Sequence, residues 1–385
     1  MKHGWEYKKL GDCFPYIKNG ANIKQIKGAD GLPITRIETL SGGVFNRDRM
    51  GYAGIYNLDK YSDYVLEDGD LLLSHINSKT YIGRTVEYRA KNDETIIHGM
   101  NLLRLKSNSD VISSSFFAYY TLSNDFKTNV AKVRKDAVNQ SSIAISDIRK
   151  FSIPVPPIQS QQYIVAELDK INELIRLKKE QLKDYDNLAQ SIFYEMFGDE
   201  KYERRKLKDI VKVKSGQVSP LEDPYCDMVH VGPANIESNT GRLINLKTAK
   251  EENLISGKYL FDSSMVLYSK IRPNLNKVTI ADFEGICSAD MYPLIPSKSI
   301  DKKFLLFILK QKEFLSYAIA NSGRANIPKI NREALLEYST ILPPLSLQLQ
   351  FAERLALIEK QKEQISSIIK DLETLLASRM QYWFG

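Results

Sequence analysis

Two stretches place side chains capable of recognition chemistry at matching points of the chain. Asp70-Leu71-Leu72-Leu73-Ser74-His75-Ile76 runs into Asn77-Ser78-Lys79-Thr80-Tyr81-Ile82-Gly83-Arg84. Far downstream, Met265-Val266-Leu267-Tyr268-Ser269-Lys270-Ile271 runs into Arg272-Pro273-Asn274-Leu275-Asn276-Lys277. In each, an apolar strand-like run ends in a loop rich in Asn, Ser, Lys, Arg or Tyr. These residue types hydrogen-bond phosphates and base edges, and Arg and Asn can pair bidentately with guanine and adenine. A single loop of this kind is ordinary solvated surface; its recurrence favours recognition.

Catalytic signals are missing. Adenine methylation calls for a tetrapeptide such as Asn-Pro-Pro-Tyr and a Gly-rich cofactor loop; the nearest stretch, Glu222-Asp223-Pro224-Tyr225, has one proline too few. No G-x-x-x-x-G-K-[ST] phosphate loop occurs, which argues against an ATP-driven motor. His3, His75, His98 and His230 are dispersed without the i, i+4 partner of a metal-binding helix. Asp68 and Asp70 sit at a strand entry, where carboxylates cap turns. The expectation is a binding protein with no cofactor and no metal of its own.

The elements that position the loops come from a repeat. Pro156-Pro157 recurs as Pro343-Pro344, Gln161 as Gln348, Leu168 as Leu355, Ile171 as Ile358 and Phe197-Gly198 as Phe384-Gly385. Just upstream, Asn139, Ile143 and Phe151 fall on Asn326, Ile330 and Tyr338, and Lys9-Leu10-Gly11-Asp12 resembles Lys206-Leu207-Lys208-Asp209. After each Pro-Pro pair, a natural helix start, apolar residues recur in alternating steps of three and four. The first run is Ile164, Leu168, Ile171, Ile175, Leu182, Tyr185, Ala189, Ile192 and Met196, broken only by Lys178. The second is Phe351, Leu355, Ile358, Ile365, Ile369, Leu372 and Leu376, with Lys362 and Arg379 as exceptions and Trp383 closing it. A 3.5-residue period held this long predicts a coiled-coil seam. We expect an α+β chain: two mixed lobes separated by two long helices in an antiparallel coiled coil, with approximate two-fold symmetry. The boundaries are 1–157, 158–198, 199–344 and 345–385. A helical hairpin buried inside one domain would show a similar stripe, but two polar-flanked helices of this length are hard to bury whole.

Within each lobe, Leu32–Leu40 before Ser41-Gly42-Gly43, and Met228–Glu237 before Asn239-Thr240-Gly241, read as strands leading into turns. Phe116–Tyr120 and Phe304–Leu309 read as buried helical segments.

The 385 residues are 43% apolar, 26% charged and 10% aromatic, with a net charge of +7, the profile of a globular chain long enough for two domains. Charge is carried by the lobes: residues 1–157 hold 22 basic and 17 acidic side chains and 198–344 hold 22 and 18, against 5 and 7 in 158–197 and 5 and 5 in 345–385. A polyanionic partner would meet the lobes. Cys13, Cys226 and Cys287 form no disulfide framework or metal spacing, and no apolar run suits a bilayer or a signal peptide. The expected compartment is the cytoplasm.

The order lobe, Pro-Pro helix, lobe, Pro-Pro helix resembles the specificity subunit of type I restriction-modification systems. The similarity is carried by Pro154-Val155-Pro156-Pro157-Ile158 with Gln161 and Gln162, Ile341-Leu342-Pro343-Pro344-Leu345 with Gln348, Glu195-Met196-Phe197-Gly198-Asp199, and Ser269-Lys270-Ile271-Arg272-Pro273-Asn274. It spans essentially the whole chain, and the doubled layout is its most specific feature. Ser160 and Leu347 depart from it, standing where the family usually has Glu.

The resemblance implies that each lobe is a target-recognition domain reading one half of a split double-stranded DNA site. The helices would set the gap and dock two copies of the methylating modification subunit. S-adenosylmethionine would sit on that subunit, and ATP with Mg on a motor-nuclease restriction subunit. Candidate DNA contacts are Arg36, Glu38, Lys79, Tyr81 and Arg84 in the first lobe, and His230, Asn235, Lys270, Arg272, Asn274 and Lys277 in the second. The lobes have diverged, so the site should be asymmetric. Two other readings stand beside this one: a coiled-coil scaffold carrying two protein-binding lobes without DNA, and a methyltransferase or nuclease of unrecognised fold.

Overall fold

A computed structural model describes residues 4–138, 140–198, 202–323 and 326–385. His3, Asn139 and Asp199 of the sequence reading lie outside the described residues. The chain divides into two units, one of residues 1–180 with 367–385 and the other of residues 181–366.

In the first unit, a four-stranded antiparallel sheet has the order Tyr16–Asn19, Leu103–Lys106, Leu71–Leu73, Thr85–Glu87. Alternation along Leu71–Leu73 divides two cores, as the pleat requires. Leu71 and Leu73 face the main core, while Leu72 joins Val86 and Tyr88 on the other side. Two helices, Ser114–Tyr120 and Asn124–Val133, cover the main face. Each starts at a serine, Ser113 or Ser123, whose hydroxyl accepts an otherwise orphaned backbone N–H. They deliver Phe116, Phe117, Tyr120 and Phe126 to the core. A two-stranded ribbon pairs Glu6–Lys9 with Ser152–Val155, which leads into the first long helix.

The second unit repeats this plan. Its sheet runs Val211–Val213, Met291–Pro296, Val266–Ser269, Val278–Thr279. Helices Lys302–Lys310 and Lys312–Ala320 cover it, and Arg204–Lys206 pairs with Ser339–Ile341. A further five-stranded sheet built around Val229–Val231, Gly285–Cys287 and Lys258–Phe261 contains one parallel pair.

The long helices are Ile158–Phe197 and Leu345–Phe384, 40 residues each and so about 60 Å. In the first unit they run antiparallel: Glu167 pairs with Arg379 at 2.7 Å and accepts from the Trp383 indole at 2.7 Å, and Lys179 pairs with Glu373 at 2.8 Å. In the second unit Lys362 pairs with Asp186 at 2.8 Å, and Phe193 and Phe197 pack on Phe351. The two charged exceptions of the second seam are therefore ion-paired rather than misplaced. Burial raises the cost of charging Lys362, yet its bonds to Asp186 and Glu359 win and push its pKa up. Leu168, Ile171, Ile175, Ile358, Ile365 and Ile369 are buried; Leu182, Leu355 and Leu372 are half-buried.

The helical segments at 116–120 and 304–309 form as expected, but the stretch at 32–40 is not a strand. Residues Ile37–Gly43 make 3₁₀ turns, with Gly42 at φ +71°, a conformation its missing Cβ permits. In the second lobe Val229–Val231 is a strand and Pro233–Asn235 a 3₁₀ turn.

Candidate nucleic-acid interface

The strand-exit loops share their anchoring in both lobes. In the first, Ile143 donates its N–H to the His75 carbonyl at 2.9 Å, and Ile76–Asn77 pairs with Ser141–Ser142. In the second, Ile330 donates to the Lys270 carbonyl at 3.0 Å, Ile271 bridges to Lys329, and Arg272 donates its backbone N–H to the Pro328 carbonyl at 2.7 Å. A hairpin therefore braces each loop: Lys135–Asp136 with Ser141–Ser142, and Ser322–Gly323 with Lys329–Ile330.

Each loop is also tied to the 3₁₀ turn that precedes it in sequence. Arg84, at the end of the first loop, donates to the Leu40 carbonyl at 3.2 Å with its guanidinium 4.5 Å from the Tyr81 ring centroid. Lys277, at the end of the second, donates to the Pro233 carbonyl at 2.6 Å. The turns themselves are built alike. The Arg36 N–H donates to the Thr39 hydroxyl at 2.8 Å, and the Gly232 N–H donates to the Asn235 side-chain oxygen at 2.9 Å.

That equivalence shows where two of the residues expected at the interface lie. Asn235 is 7% exposed, and its amide donates to the Ile244 and Asn245 carbonyls within the turn. His230 is buried with Nδ1 at 2.7 Å from Glu252, and burial pushes its pKa down against that carboxylate. Arg84, Lys270 and Lys277 are half-buried. Lys270 bonds the Ala289 carbonyl and lies over the Tyr292 ring.

On the surface stand Arg36, Glu38, Lys79 and Tyr81 in the first lobe and Arg272 and Asn274 in the second. Arg36 pairs with Glu38 at 3.4 Å, and both flank an open hollow also lined by Gln25 and Asn101. Arg272 sits at φ +47°, ψ +61°, a left-handed conformation uncommon outside glycine, and so does Asn276. This strained bend sets Arg272 and Asn274 at the tip of the loop. The two bracing hairpins were missed by sequence reasoning; matched Ile143 and Ile330, each closing its hairpin, were the available signal.

His75 and His98, both buried, are held to a pKa of about 4 by desolvation and are neutral. Among the described residues, the one His/Cys/Asp/Glu group within metal-binding reach is Asp223, Cys226 and Asp227, with both carboxylates exposed. No helix among the described residues is long and apolar enough to cross a membrane.

Two lobes braced in the same way, each seated on a long helix, define a repeated recognition scaffold. The family model of the type I restriction modification DNA specificity domain matches residues 2–184 and again 199–374. The chain belongs to this family, the DNA sequence-specificity subunits of type I restriction-modification systems, which are non-catalytic. It is 29% identical to a protein assigned as the type I restriction enzyme MjaX specificity subunit of Methanocaldococcus jannaschii, over 97% of this chain and 92% of that protein. It is 38% identical to the type I restriction enzyme EcoDI specificity subunit of Escherichia coli over 39% of this chain and 33% of that one. In fold, it matches the S subunit of a type I system from M. genitalium with a TM-score of 0.57 at 14% identity, over 99% of this chain and 96% of that one. A structure from a study of type I R-M complex assembly and conformational transition matches equally, at 0.57 and 16% identity, over 100% and 98%.

Proposed function

We propose that each lobe reads one half of a bipartite, asymmetric DNA site, and that the long helices set the spacing and dock two copies of the modification subunit. Residues 1–157 and 199–344 are the two recognition domains; 158–198 and 345–385 are the spacer. The modification subunits bring S-adenosylmethionine, a motor-nuclease subunit brings ATP with Mg, and the assembly works in the cytoplasm. Arg36, Glu38, Lys79, Tyr81, Arg272 and Asn274 contact DNA, while Arg84, Lys270, Lys277, His230 and Asn235 hold the contacting loops in shape.

The observation that carries this reading is the contrast within the repeat. The bracing bonds recur from lobe to lobe, yet the exposed tips differ: Lys79 and Tyr81 in one, Arg272 and Asn274 in the other. Similarly braced loops with unlike tips suit two unlike half-sites, and half-sites about one helical turn apart, near 34 Å, require a rigid spacer of that order. The test is to sequence methylated bases in cells expressing this chain with its modification subunit. A split motif with two different halves is expected; a palindromic motif, or none dependent on this chain, overturns the proposal.

A further inference from the structure

The hairpin bracing the first loop carries a carboxylate among cations. Asp136 accepts from Arg134 through both oxygens, at 2.6 and 3.2 Å, and from the Ser141 hydroxyl at 2.6 Å. Lys79, on the exit loop, stands 3.8 Å away. These bonds hold the Asp136 carboxyl down to about 2, so it is charged at any working pH. A guanidinium, an ammonium and a hydroxyl converging on one anionic oxygen pair is the donor set that proteins aim at phosphodiesters.

At the matching junction of the second lobe the carboxylate is Asp290, 3.9 Å from Lys270. There Lys270 and Lys329 stand close enough that burial first, and the Lys329 charge second, push the Lys270 pKa down. Both junctions set two cations beside a carboxylate, and in the first that carboxylate is hydrogen-bonded by Arg134 and Ser141.

We propose that Asp136 is a built-in counter-ion, occupying in the free protein the place that a DNA phosphate takes in the complex. The proposal rests on the reading that the first lobe contacts DNA. Binding swaps the carboxylate for a phosphate on Arg134 and Lys79, so the first lobe gives up part of its attraction for any duplex and leaves discrimination to its base contacts. In the second lobe no such exchange is proposed, because Lys270 is spent on the Ala289 carbonyl with Asp290 beside it.

The test uses the full chain co-purified with its modification subunit, titrated with cognate and random-sequence duplex across a range of salt. Asp136→Asn keeps the shape and removes the charge. It is expected to tighten binding to both duplexes about three- to ten-fold and to steepen the slope of log affinity on log salt by up to about 0.9, one further phosphate neutralised. Unchanged or weaker binding overturns the inference, as would an unchanged slope. Arg134→Gln in the Asp136→Asn background should abolish the gain; if the gain survives, the phosphate is not bound there. Failure of the wild-type complex to bind duplex in a salt-dependent way would instead sink the underlying DNA reading.

Discussion

Gln161 and Gln348 occupy the first turns of the two long helices and make the same three hydrogen bonds. Gln161 accepts the Ser113 N–H at 2.7 Å and donates to the Val111 and Pro156 carbonyls at 2.9 and 2.8 Å. Gln348 accepts the Asp301 N–H at 2.8 Å and donates to the Ser299 and Pro343 carbonyls at 3.0 and 2.8 Å. Both are 0% exposed. Ser113 and Asp301 are themselves the N-caps of the covering helices, so one amide fastens a lobe helix to the start of its long helix.

Removing either amide should cost more than a surface hydrogen bond. Gln161→Leu strands the Ser113 N–H and two carbonyls in the interior, each loss worth roughly 1–3 kcal/mol. Chemical denaturation should show a fall of at least about 2 kcal/mol for Gln161→Leu and a similar fall for Gln348→Leu. The two share no partner, so the double variant should lose close to the sum.

Arg272 and Lys277 should separate in their effects. Arg272 is exposed at the loop tip, and Arg272→Ala should weaken DNA binding by the assembled enzyme by about 1–3 kcal/mol with little change in stability. Lys277 is spent on the Pro233 carbonyl, so Lys277→Ala should lower the unfolding midpoint as well as binding. Binding isotherms and melting curves on both variants check the distinction; equal melting curves would place Lys277 at the interface instead.

Phe384 is buried against Phe116 and Tyr120, with ring centroids at 5.5 and 6.0 Å. Phe384→Ala leaves a hole in the first unit's core and should cost about 3 kcal/mol. Phe197 takes the corresponding place beside Phe304 and Phe351 in the second unit, and its truncation should cost about as much.

Acid should weaken the first unit, with two strongly shifted histidines, more than the second, which has His230. His75 and His98 have pKa values near 4 folded against 6.5 in an unfolded chain. Between those values the unfolded state binds more protons, so stability is complete above about 6.5 and is lost as pH falls towards 4. At pH 5 the loss is about 2 kcal/mol per histidine. Hydrogen exchange at pH 7 and pH 5 should show protection falling first around Leu71–Leu73 and Leu103–Lys106; an even fall over both units would contradict this.

The long helices were legible because a 3.5-residue period survives forty positions and recurs. Their charged exceptions were legible only as exceptions; that Lys362 and Arg379 find Asp186 and Glu167 depends on pairing partners far off in sequence. The lobes were read less well. Ile34 to Leu40 alternates like a strand, but Thr39 bonding back to Arg36 closes a 3₁₀ turn that alternation cannot distinguish. The burial of His230 and Asn235 was not legible for a related reason: polar side chains on loops serve turns as readily as ligands, and sequence alone does not tell which. Lys135-Asp136 and Ser141-Ser142 gave no apolar alternation by which to find a hairpin.

The first unit draws on residues 1–180 and on 367–385, whereas residues 181–366 form the second without interruption. A ribosome therefore finishes the ingredients of the second unit before those of the first. At about 5–20 residues per second, the opening segment waits roughly ten to forty seconds for Phe384 and its neighbours to emerge. During that interval Phe116 and Tyr120 lack the Phe384 ring that packs on them in the finished chain, while the second unit already has all of its residues.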